Sequence, residues 1–399
     1  MDVITHEAAM RSLSFSFHPL LAGFVAVLVG YASSAAIIWQ AAAAAGANDV
    51  QIAGWMTALG IGMGISTLAL TLWYKTPVLT AWSTPGAALL ATSLEGVSLN
   101  EAVGIFIFAN ALILLCGLTG LFARLMKIVP PGLAAAMLAG ILLRFGLQMF
   151  TPLPQNIVLC GSMFLAWCSV RLIAPRYAII ATLVVGLIIV ILKGDIVTKN
   201  LPIALVMPTF IMPQFTPSAL VSIGLPLFLV TMASQNAPGV ATMQTAGYPV
   251  AVSPLMIFTG GLALLLSPFG VYSICIAAIT AAICQSPDAH PDKNKRWLAA
   301  AAAGGFYLLA GILGGSITAL IAALPTSWVQ MLAGLALFNT LSGSLHQALI
   351  HERERDAAML TFLLTASGIT LFGVGSAFWG LILGGAYRAL TSRLRRAEL

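Results

Sequence analysis

The sequence has very few charged residues. Of its 399 residues only 8% are Asp, Glu, Lys or Arg, whereas about 25% is usual in a soluble domain. Hydrophobic residues make up 60% of the chain and the mean hydropathy is +1.00. This composition excludes a soluble globular protein. The apolar stretches are roughly 17 to 25 residues long and do not alternate as barrel strands do, so they predict an all-α integral membrane protein embedded in the lipid bilayer.

Motifs of catalysis and metal binding are also missing. The five cysteines lie in apolar stretches without the CxxC or Cys/His spacing of a metal site. No Ser/His/Asp group, paired carboxylates, HExxH sequence or phosphate-binding glycine loop stands out. We therefore expect no enzyme activity, no metal and no cofactor. The net charge of +6 is explained by basic loops, so no nucleic-acid partner is expected.

The apolar stretches predict fourteen membrane segments. Fourteen spans of about 21 residues leave roughly 105 residues for connections and tails, whereas twelve would leave roughly 147 without a long polar insert to use them. The first apolar stretch is too long for a signal-peptide core, which indicates an uncleaved first helix. The predicted spans are 19–45, 53–73, 77–94, 102–123, 131–150, 156–173, 176–193, 217–244, 253–268, 269–286, 297–322, 327–346, 357–374 and 376–392.

The basic residues predict the orientation of these spans. If the N-terminus is cytoplasmic, fifteen of the 18 Lys and Arg residues lie at cytoplasmic ends. Lys193 and Lys199 lie outside, and Arg144 lies within the fifth span. Loops rich in Lys and Arg stay on the cytoplasmic side. We therefore expect both termini, and the loop from Ser286 to Arg296, in the cytoplasm.

A proline-rich stretch separates two halves of the chain. Pro202, Pro208 and Pro213 deny it a continuous helix. Seven spans precede it and seven follow, and an odd number in each half gives the halves opposite orientations, as in inverted-repeat transporters. A fourteen-helix bundle without symmetry is the alternative. The predicted organisation is a first repeat over 1–193, a connecting segment over 194–216 and a second repeat over 217–399.

The third segment of the first half, TPVLTAWSTPGAALLATS, cannot form one unbroken helix because it contains Pro77 and Pro85. Residues 78–82 are rich in β-formers and predict an extended stretch, which is tolerated at membrane depth only when it is packed in protein or lines a cavity. Thr84 followed by Pro85 resembles an N-cap and first-turn pair. The sequence therefore predicts a segment that is half extended and half helical.

The tenth segment, SPFGVYSICIAAITAAICQ, is unusual in the same way. Pro268, Gly270, Val271 and Tyr272 predict its extended part, and Ser273 is the candidate cap of a half-helix that runs to Gln285. The two helix starts should then face each other near the midplane. Their unpaired N–H groups and positive dipole ends would form a site for an anion or a polar ligand.

Two further segments should flank this point. Tyr31, Ser33 and Ser34 lie in a GYASS run within the first helix, and Gln235 and Asn236 precede a proline in the eighth. Hydrogen bonding between helices explains the serines as well as ligand contact does. The two carboxamides have more hydrogen-bonding capacity than one packing contact uses, which favours a functional role. The candidate site comprises Tyr31, Ser33, Ser83, Thr84, Pro85, Gly86, Gln235, Asn236, Tyr272, Ser273 and Ile274.

The stretches TAWSTPGAALLATS, SQNAPG and ITAAICQSPDAHPD strongly resemble the benzoate/proton symporter family of bacterial inner membranes, and the resemblance covers essentially the whole chain. It places the chain in a clan with nucleobase transporters, sulfate permeases and anion exchangers. That resemblance implies seven plus seven inverted segments, core and gate domains interleaved between the repeats, half-extended third and tenth segments, and a homodimer.

The sequence departs from the nucleobase branch of that clan. That branch has a Tyr-Gly-Glu stretch in the tenth segment and an acid in the eighth, where this chain has Tyr272-Ser273-Ile274 and Ser234-Gln235-Asn236. The missing carboxylates suit a benzene ring, which has no ring N–H to bind. The resemblance therefore implies import of benzoate or a similar aromatic monocarboxylate with a proton by alternating access. A passive anion channel or facilitator, and a carrier of another small organic anion, are the alternatives.

No residue identifies a proton carrier. None of the 12 acids lies at mid-membrane in the predicted spans. Glu95, His346 and the substrate carboxylate itself are candidates, although the positions of the two side chains are more typical of solvated helix ends. Arg144 could pair with a carboxylate, but its long side chain can also reach the interface. We therefore leave Arg144 outside the candidate site.

Overall fold

The structure, a computed structural model, describes residues 2–121, 130–195, 206–248, 251–287, 289–371 and 374–397. Over these residues the chain is mostly α-helical, as predicted. Six of the described helices are long and apolar enough to cross a membrane, and a bent pair of helices would make a seventh. The described part of the chain thus has the helices of a polytopic membrane protein.

The structure describes seven α-helices before the connecting segment. Side chains start two of them: Asn48 and Gln51 form a capping box, as do Ser98 and Glu101, because each pair satisfies orphan N–H groups of the first turn. Helix α5 starts at a proline, which needs no N–H partner there. The helices are α1 (Asp2–Ala44), α2 (Asp49–Tyr74), α3 (Thr84–Ser93), α4 (Leu99–Thr119), α5 (Pro131–Gln148), α6 (Ile157–Ile173) and α7 (Ala178–Lys193).

Among the described residues after the connecting segment there are eight α-helices. They are α8 (Pro217–Gln244), α9 (Val252–Leu266), α10 (Ile279–Gln285), α11 (Trp297–Ile312), α12 (Gly314–Ala323), α13 (Thr326–Leu349), α14 (Arg355–Ser367) and α15 (Ser376–Ala397). The predicted span over 297–322 contains two helices, α11 and α12, which are bent by 64° and count as one span if the pair crosses the membrane together. Gly311 and Gly314 flank the bend and lie so close to α2 that an added Cβ would come within 2.8 Å and 2.6 Å of α2 atoms.

Helix α8 is continuous, but it contains two π turns, Leu220–Gly224 and Met232–Asn236. Each π turn ends two residues before a proline, Pro226 in one case and Pro238 in the other. A proline has no N–H and its ring clashes with the preceding turn, and a π turn widens the helix locally. The proline that follows Asn236 therefore lies in a continuing helix, with a π turn before it and not a break.

Two short strands pair at the centre of the bundle. Strand β1 (Thr80–Ala81) precedes α3, strand β2 (Cys275–Ile276) precedes α10, and they are antiparallel with Thr80 opposite Ile276. A second pair, β3 (Thr370–Leu371) with β4 (Val374–Gly375), lies between α14 and α15. The extended stretch predicted at 78–82 therefore contains β1. In the tenth segment Pro268 lies in a 3₁₀ turn and Gly270 has a positive φ of 93°.

The helices pack in two groups. In one group α2 packs against α11 and α4 packs against α9; in the other, α5 packs against both α13 and α14. Glycines allow the close contact of α2 with α11, since a Cβ on Gly60 would lie 2.5 Å from the Cα of Gly311. Small residues at such contacts are typical of membrane helices, where close packing replaces the hydrophobic effect.

The described part of the connecting segment, residues 206–216, has no regular secondary structure. Its backbone is tied to both halves: Ile211 N–H donates to Pro268 O at 2.8 Å, and Gln214 N–H donates to Asn100 O at 2.9 Å. Pro208 and Pro213 therefore lie in a non-helical stretch, as predicted. Pro202 and Lys199 lie outside the described residues.

Candidate functional site

Hydroxyl groups of α2 hold the extended part of the third segment. The Thr80 hydroxyl lies 2.6 Å from Ser66 Oγ and 2.8 Å from Thr67 Oγ1, and the Thr71 hydroxyl donates to Val78 O at 2.8 Å. All these side chains are buried. Extended backbone at membrane depth needs partners within the protein, and α2 supplies them for β1.

Two carboxamides hold the extended part of the tenth segment. Asn110 of α4 donates from Nδ2 to Ser267 Oγ at 3.0 Å and to Tyr272 O at 3.3 Å. Asn236 of α8 accepts the N–H of Ile276 on its Oδ1 at 2.9 Å. The sequence analysis missed Asn110. Its signal was a lone carboxamide in the otherwise apolar run of α4, which is expensive in a membrane unless it is bonded.

Helix α3 is capped by Ser83 and not by Thr84, so that part of the prediction is wrong. Ser83 has an extended backbone and its Oγ accepts the N–H of Gly86 at 3.1 Å. The first turn of α3 has few N–H groups to satisfy: Pro85 has none, the N–H of Gly86 is bound by the cap, and the N–H of Thr84 is left. The Tyr272 hydroxyl donates to Ser83 O at 3.1 Å. The cap residue of α3 is therefore bound directly to the tenth segment.

Helix α10 begins at Ile279, and its N-cap, Ala278, offers no side-chain hydrogen bond. The prediction of Ser273 as the cap is wrong, because the chain continues extended through Cys275 and Ile276 to pair with β1. Ser273 and Ile274 are buried in this extended stretch. The two helices thus begin beyond opposite ends of the strand pair and run away from it.

The third and tenth segments meet at Trp82–Gly86 and Tyr272–Ile276, a region called the crossing below. Protein atoms pack closely around the predicted site residues there. A Cβ on Gly86 would lie 2.9 Å from Leu227 Cδ1 and 2.8 Å from Ser83 Oγ, and the Ile274 side chain packs against Gly62. Pro85 is buried as well, while Thr84 is half-buried. The structure therefore brings the residues of the third and tenth segments together as expected from the sequence.

An aromatic cluster lies beside the crossing. The rings of Tyr31 and Trp82 meet edge to face with centroids 4.6 Å apart, and Tyr307 lies 6.3 Å from Tyr31. Trp82 Nε1 donates to Ser34 Oγ at 2.7 Å, whereas Ser33 donates only to the Gly30 carbonyl of its own helix. Ser34, and not the predicted Ser33, therefore reaches the crossing. The buried Tyr31 hydroxyl has no hydrogen-bond partner among the described residues.

The two predicted carboxamides of α8 have different surroundings. Asn236 is fully buried, and its Nδ2 points to Met232 Sδ at 3.3 Å. Gln235 is half-buried and makes no side-chain hydrogen bond to a described residue. Asn236 therefore supports the strand pair, while Gln235 keeps its hydrogen-bonding capacity. Within the described residues no group of three or more His, Cys, Asp and Glu side chains could hold a metal ion.

Three large cavities lie among the described helices. An apolar cavity of about 560 Å³ is lined by Tyr31, Leu183, Phe306 and residues of α12 and α13. A polar cavity of about 420 Å³ lies at the predicted outer side and is lined by Trp39, Glu95, Arg144 and neighbouring residues. A third, of about 480 Å³, lies at the predicted cytoplasmic side between α5, α8 and α13 and includes Ser234.

Membrane-length helices around two paired half-extended segments define a membrane transport protein, not an enzyme. The chain belongs to the benzoate membrane transport protein family, which matches residues 14–390. It is 38% identical over 371 residues to the "Benzoate membrane transport protein" of Acinetobacter baylyi, covering 93% of this chain and 94% of the relative. It is 67% identical over 376 residues to "Inner membrane protein YdcO" of Escherichia coli, covering 94% and 96%.

Solved anion transporters share the fold. The transmembrane domain of the cyanobacterial bicarbonate transporter BicA has a TM-score of 0.61 at 16% identity, with 92% of this chain and 96% of that one covered. The murine anion transporter Slc26a9, solved in its inward-facing state, has a TM-score of 0.62 at 14% identity, with 95% and 68% covered. These likenesses establish a mostly helical transporter fold.

Proposed function

We propose that this protein is a secondary active transporter that imports benzoate, or a similar aromatic monocarboxylate, together with a proton across the inner membrane by alternating access. The substrate class is supported by the name of the A. baylyi relative, a benzoate membrane transport protein that is 38% identical over nearly the whole chain. The inner-membrane location is supported by the name of the E. coli relative. The transport orientation, with both termini cytoplasmic, rests on the distribution of basic residues.

The proposed architecture is fourteen segments in two inverted repeats of seven. In this scheme β1 with α3 is the third segment, β2 with α10 the tenth, and α11 with α12 the eleventh. In a seven-plus-seven repeat, segment two corresponds to segment nine and segment four to segment eleven. The symmetry therefore requires that, if segment two packs against segment eleven, segment nine packs against segment four. Both pairs are closely packed in the structure. Segments three and ten also correspond to each other, and their strands β1 and β2 pair directly. These relations support the inverted repeat.

The observation that carries the proposed binding mode is the position of Tyr31. Its ring contacts Trp82 at the crossing and also lines the apolar cavity, and its buried hydroxyl is without a partner among the described residues. An aromatic acid needs an apolar wall for its ring and donors for its carboxylate. We place the carboxylate between Ser83–Gly86 and Tyr272–Ile274, within reach of Gln235, and the ring on the Tyr31 side.

Alternating access is supported by two cavities that lie toward opposite predicted sides of the membrane. The polar cavity lies between α1, α3, α5 and α13, and the cytoplasmic-side cavity lies between α5, α8 and α13. In this proposal α5–α7 and α13–α15 form a gate domain, and the other helices form a core domain that moves against it. The homodimer suggested by the clan would join two such units.

The proton remains without an assigned carrier, with Glu95, His346 and the substrate carboxylate as candidates. A passive anion facilitator in the same fold is the second candidate function. The deciding experiment is uptake of radiolabelled benzoate into proteoliposomes with an imposed pH gradient, with and without a membrane potential. Accumulation above equilibrium that follows the pH gradient supports a symporter. Equilibration that never exceeds the external concentration contradicts it and favours the facilitator.

A further inference from the structure

Arg144 lines two neighbouring cavities. It lines the polar cavity of about 420 Å³ at the predicted outer side, which is bounded by the ends of α1, α3 and α5 and by α12 and α13. It also lines an adjoining cavity of about 90 Å³ with Ser222 and Thr365. Arg144 is exposed and lines both cavities, so of the two roles that the sequence suggested, pairing with a carboxylate is possible here.

Arg144 has no partner among the described residues. It makes no hydrogen bond or ion pair to any of them, although Glu95 lines the same cavity. A guanidinium offers five donors in a planar fork that matches a carboxylate, and an intramembrane arginine normally pairs with another group. The cavity therefore presents an unused donor group suited to a planar anion.

The remaining lining residues add the chemistry of an aromatic ligand. Trp39 and Phe145 supply aromatic surface, and the Trp39 indole N–H is buried without a hydrogen-bond partner among the described residues. The neutral polar side chains of the same cavity are those of Gln40, Thr92, Gln148, Thr326 and Gln330.

We propose that this cavity is a second binding site for an aromatic monocarboxylate, separate from the crossing and occupied first when the substrate arrives from the Arg144 side. The Arg144 guanidinium pairs with the carboxylate, and the ring packs against Trp39 and Phe145. The choice of ligand rests on the proposed function. Glu95 places a negative charge in the same cavity and therefore weakens the binding of the anion.

The test is protection of a cysteine placed in the cavity. Gln330→Cys is made with Cys168→Ser, which removes the half-buried native thiol; the other four cysteines are buried. Its rate of reaction with a charged methanethiosulfonate reagent is measured in nanodiscs with increasing benzoate. We expect benzoate to slow the reaction at least about fivefold. Val50→Cys is the control, because Val50 is 58% exposed at the start of α2 and does not line the cavity.

Arg144→Gln should raise the benzoate concentration needed for half-protection at least about tenfold, as expected for the loss of a charge-assisted hydrogen bond. Glu95→Gln should lower that concentration. Arg171→Gln is the matched control, since Arg171 stacks on Trp167 at 4.6 Å and does not line this cavity. Protection that persists unchanged in Arg144→Gln would reflect a conformational change elsewhere and would overturn the proposal. Absence of protection in the parent would overturn it as well.

Uptake assays separate this site from the proposed function. Protection that depends on Arg144 in a protein that does not accumulate benzoate leaves the cavity site standing and rejects the transport proposal. Accumulation of benzoate without protection at position 330 supports the transport proposal and rejects the cavity site. The protection measurement alone therefore tests the cavity site, and the uptake measurement alone tests the transport proposal.

Discussion

The side-chain oxygen of Asn236 accepts a 2.9 Å hydrogen bond from the backbone N–H of Ile276. This bond joins the second π turn of α8 to strand β2, and the remaining Nδ2 points to Met232 Sδ. Any movement of α8 would therefore be transmitted to the strand pair between the third and tenth segments. Asn236 also marks the place where nucleobase carriers, in the resemblance described above, keep an acid.

We expect Asn236→Asp to make stability and uptake depend on acid. The aspartate keeps an acceptor for Ile276, but Asn236 is fully buried, and burial disfavours the charged form by several kcal/mol and raises the pKa of such a carboxyl. The variant should therefore match the parent below the unfolded pKa of about 4 and lose stability as pH rises above it. The measurement is thermal unfolding in detergent, together with benzoate uptake, across pH. Asn236→Ala should be impaired at every pH, and a parental profile in Asn236→Asp would remove the residue from this role.

Tyr272→Phe should lower uptake with only a small loss of stability. The substitution removes the 3.1 Å bond to Ser83 O, which links the cap of α3 to the tenth segment, and one neutral hydrogen bond is worth about 1 kcal/mol. Tyr248→Phe is a matched control because its hydroxyl donates to a carbonyl, Lys293 O at 2.9 Å, outside the crossing. Unfolding and uptake are measured for both. Equal uptake defects in the two variants would argue against a special role for the crossing.

Gly86→Ala should destabilise the protein by about 1 to 3 kcal/mol, because its Cβ would lie 2.9 Å from Leu227 Cδ1. Leu227→Ala removes that contact, so the double variant should be more stable than the sum of the two single effects predicts, by about 0.5 kcal/mol or more. Gly305→Ala is the control, since no atom lies within 4 Å of its Cβ position. Strict additivity of the Gly86 and Leu227 effects would contradict the packing of α3 against α8.

Cysteines introduced at Asp49 and Asp292 should react from opposite sides of the membrane. Both residues are exposed in loops or at a helix start, and the distribution of basic residues places Asp292 in the cytoplasm and Asp49 outside. An impermeant maleimide is applied to intact cells and to inverted vesicles carrying Cys168→Ser. Labelling of both positions from the same side would reject the inverted repeat.

Composition and spacing in the sequence were enough to predict a helical membrane protein and the half-extended third and tenth segments. The reason is local: Pro77, Pro85 and Pro268 remove helical hydrogen bonds in stretches that also contain β-formers or glycine, and the low charge requires lipid as the solvent. The non-helical connecting segment followed from the same rule, over the residues that the structure describes. The bend between α11 and α12 had no comparable signal, because it depends on the contact of Gly311 and Gly314 with another helix.

The details of the crossing were decided by tertiary structure. Thr84 and Ser83 are both acceptable caps by residue type, and only the approach of Tyr272 to Ser83 O shows which one meets the tenth segment. Ser273 could not cap α10 because pairing with β1 keeps the chain extended to Ile276. Asn110, Ser34 and the surroundings of Arg144 likewise became visible only through partners more than forty residues away in the chain or through a shared cavity. The sequence by itself determined that this is a helical membrane protein and that its third and tenth segments are partly extended, since these are properties of single stretches of chain. Hydrogen bonds and contacts between distant stretches decided the rest, since a polar group at membrane depth takes whatever partner the fold brings to it.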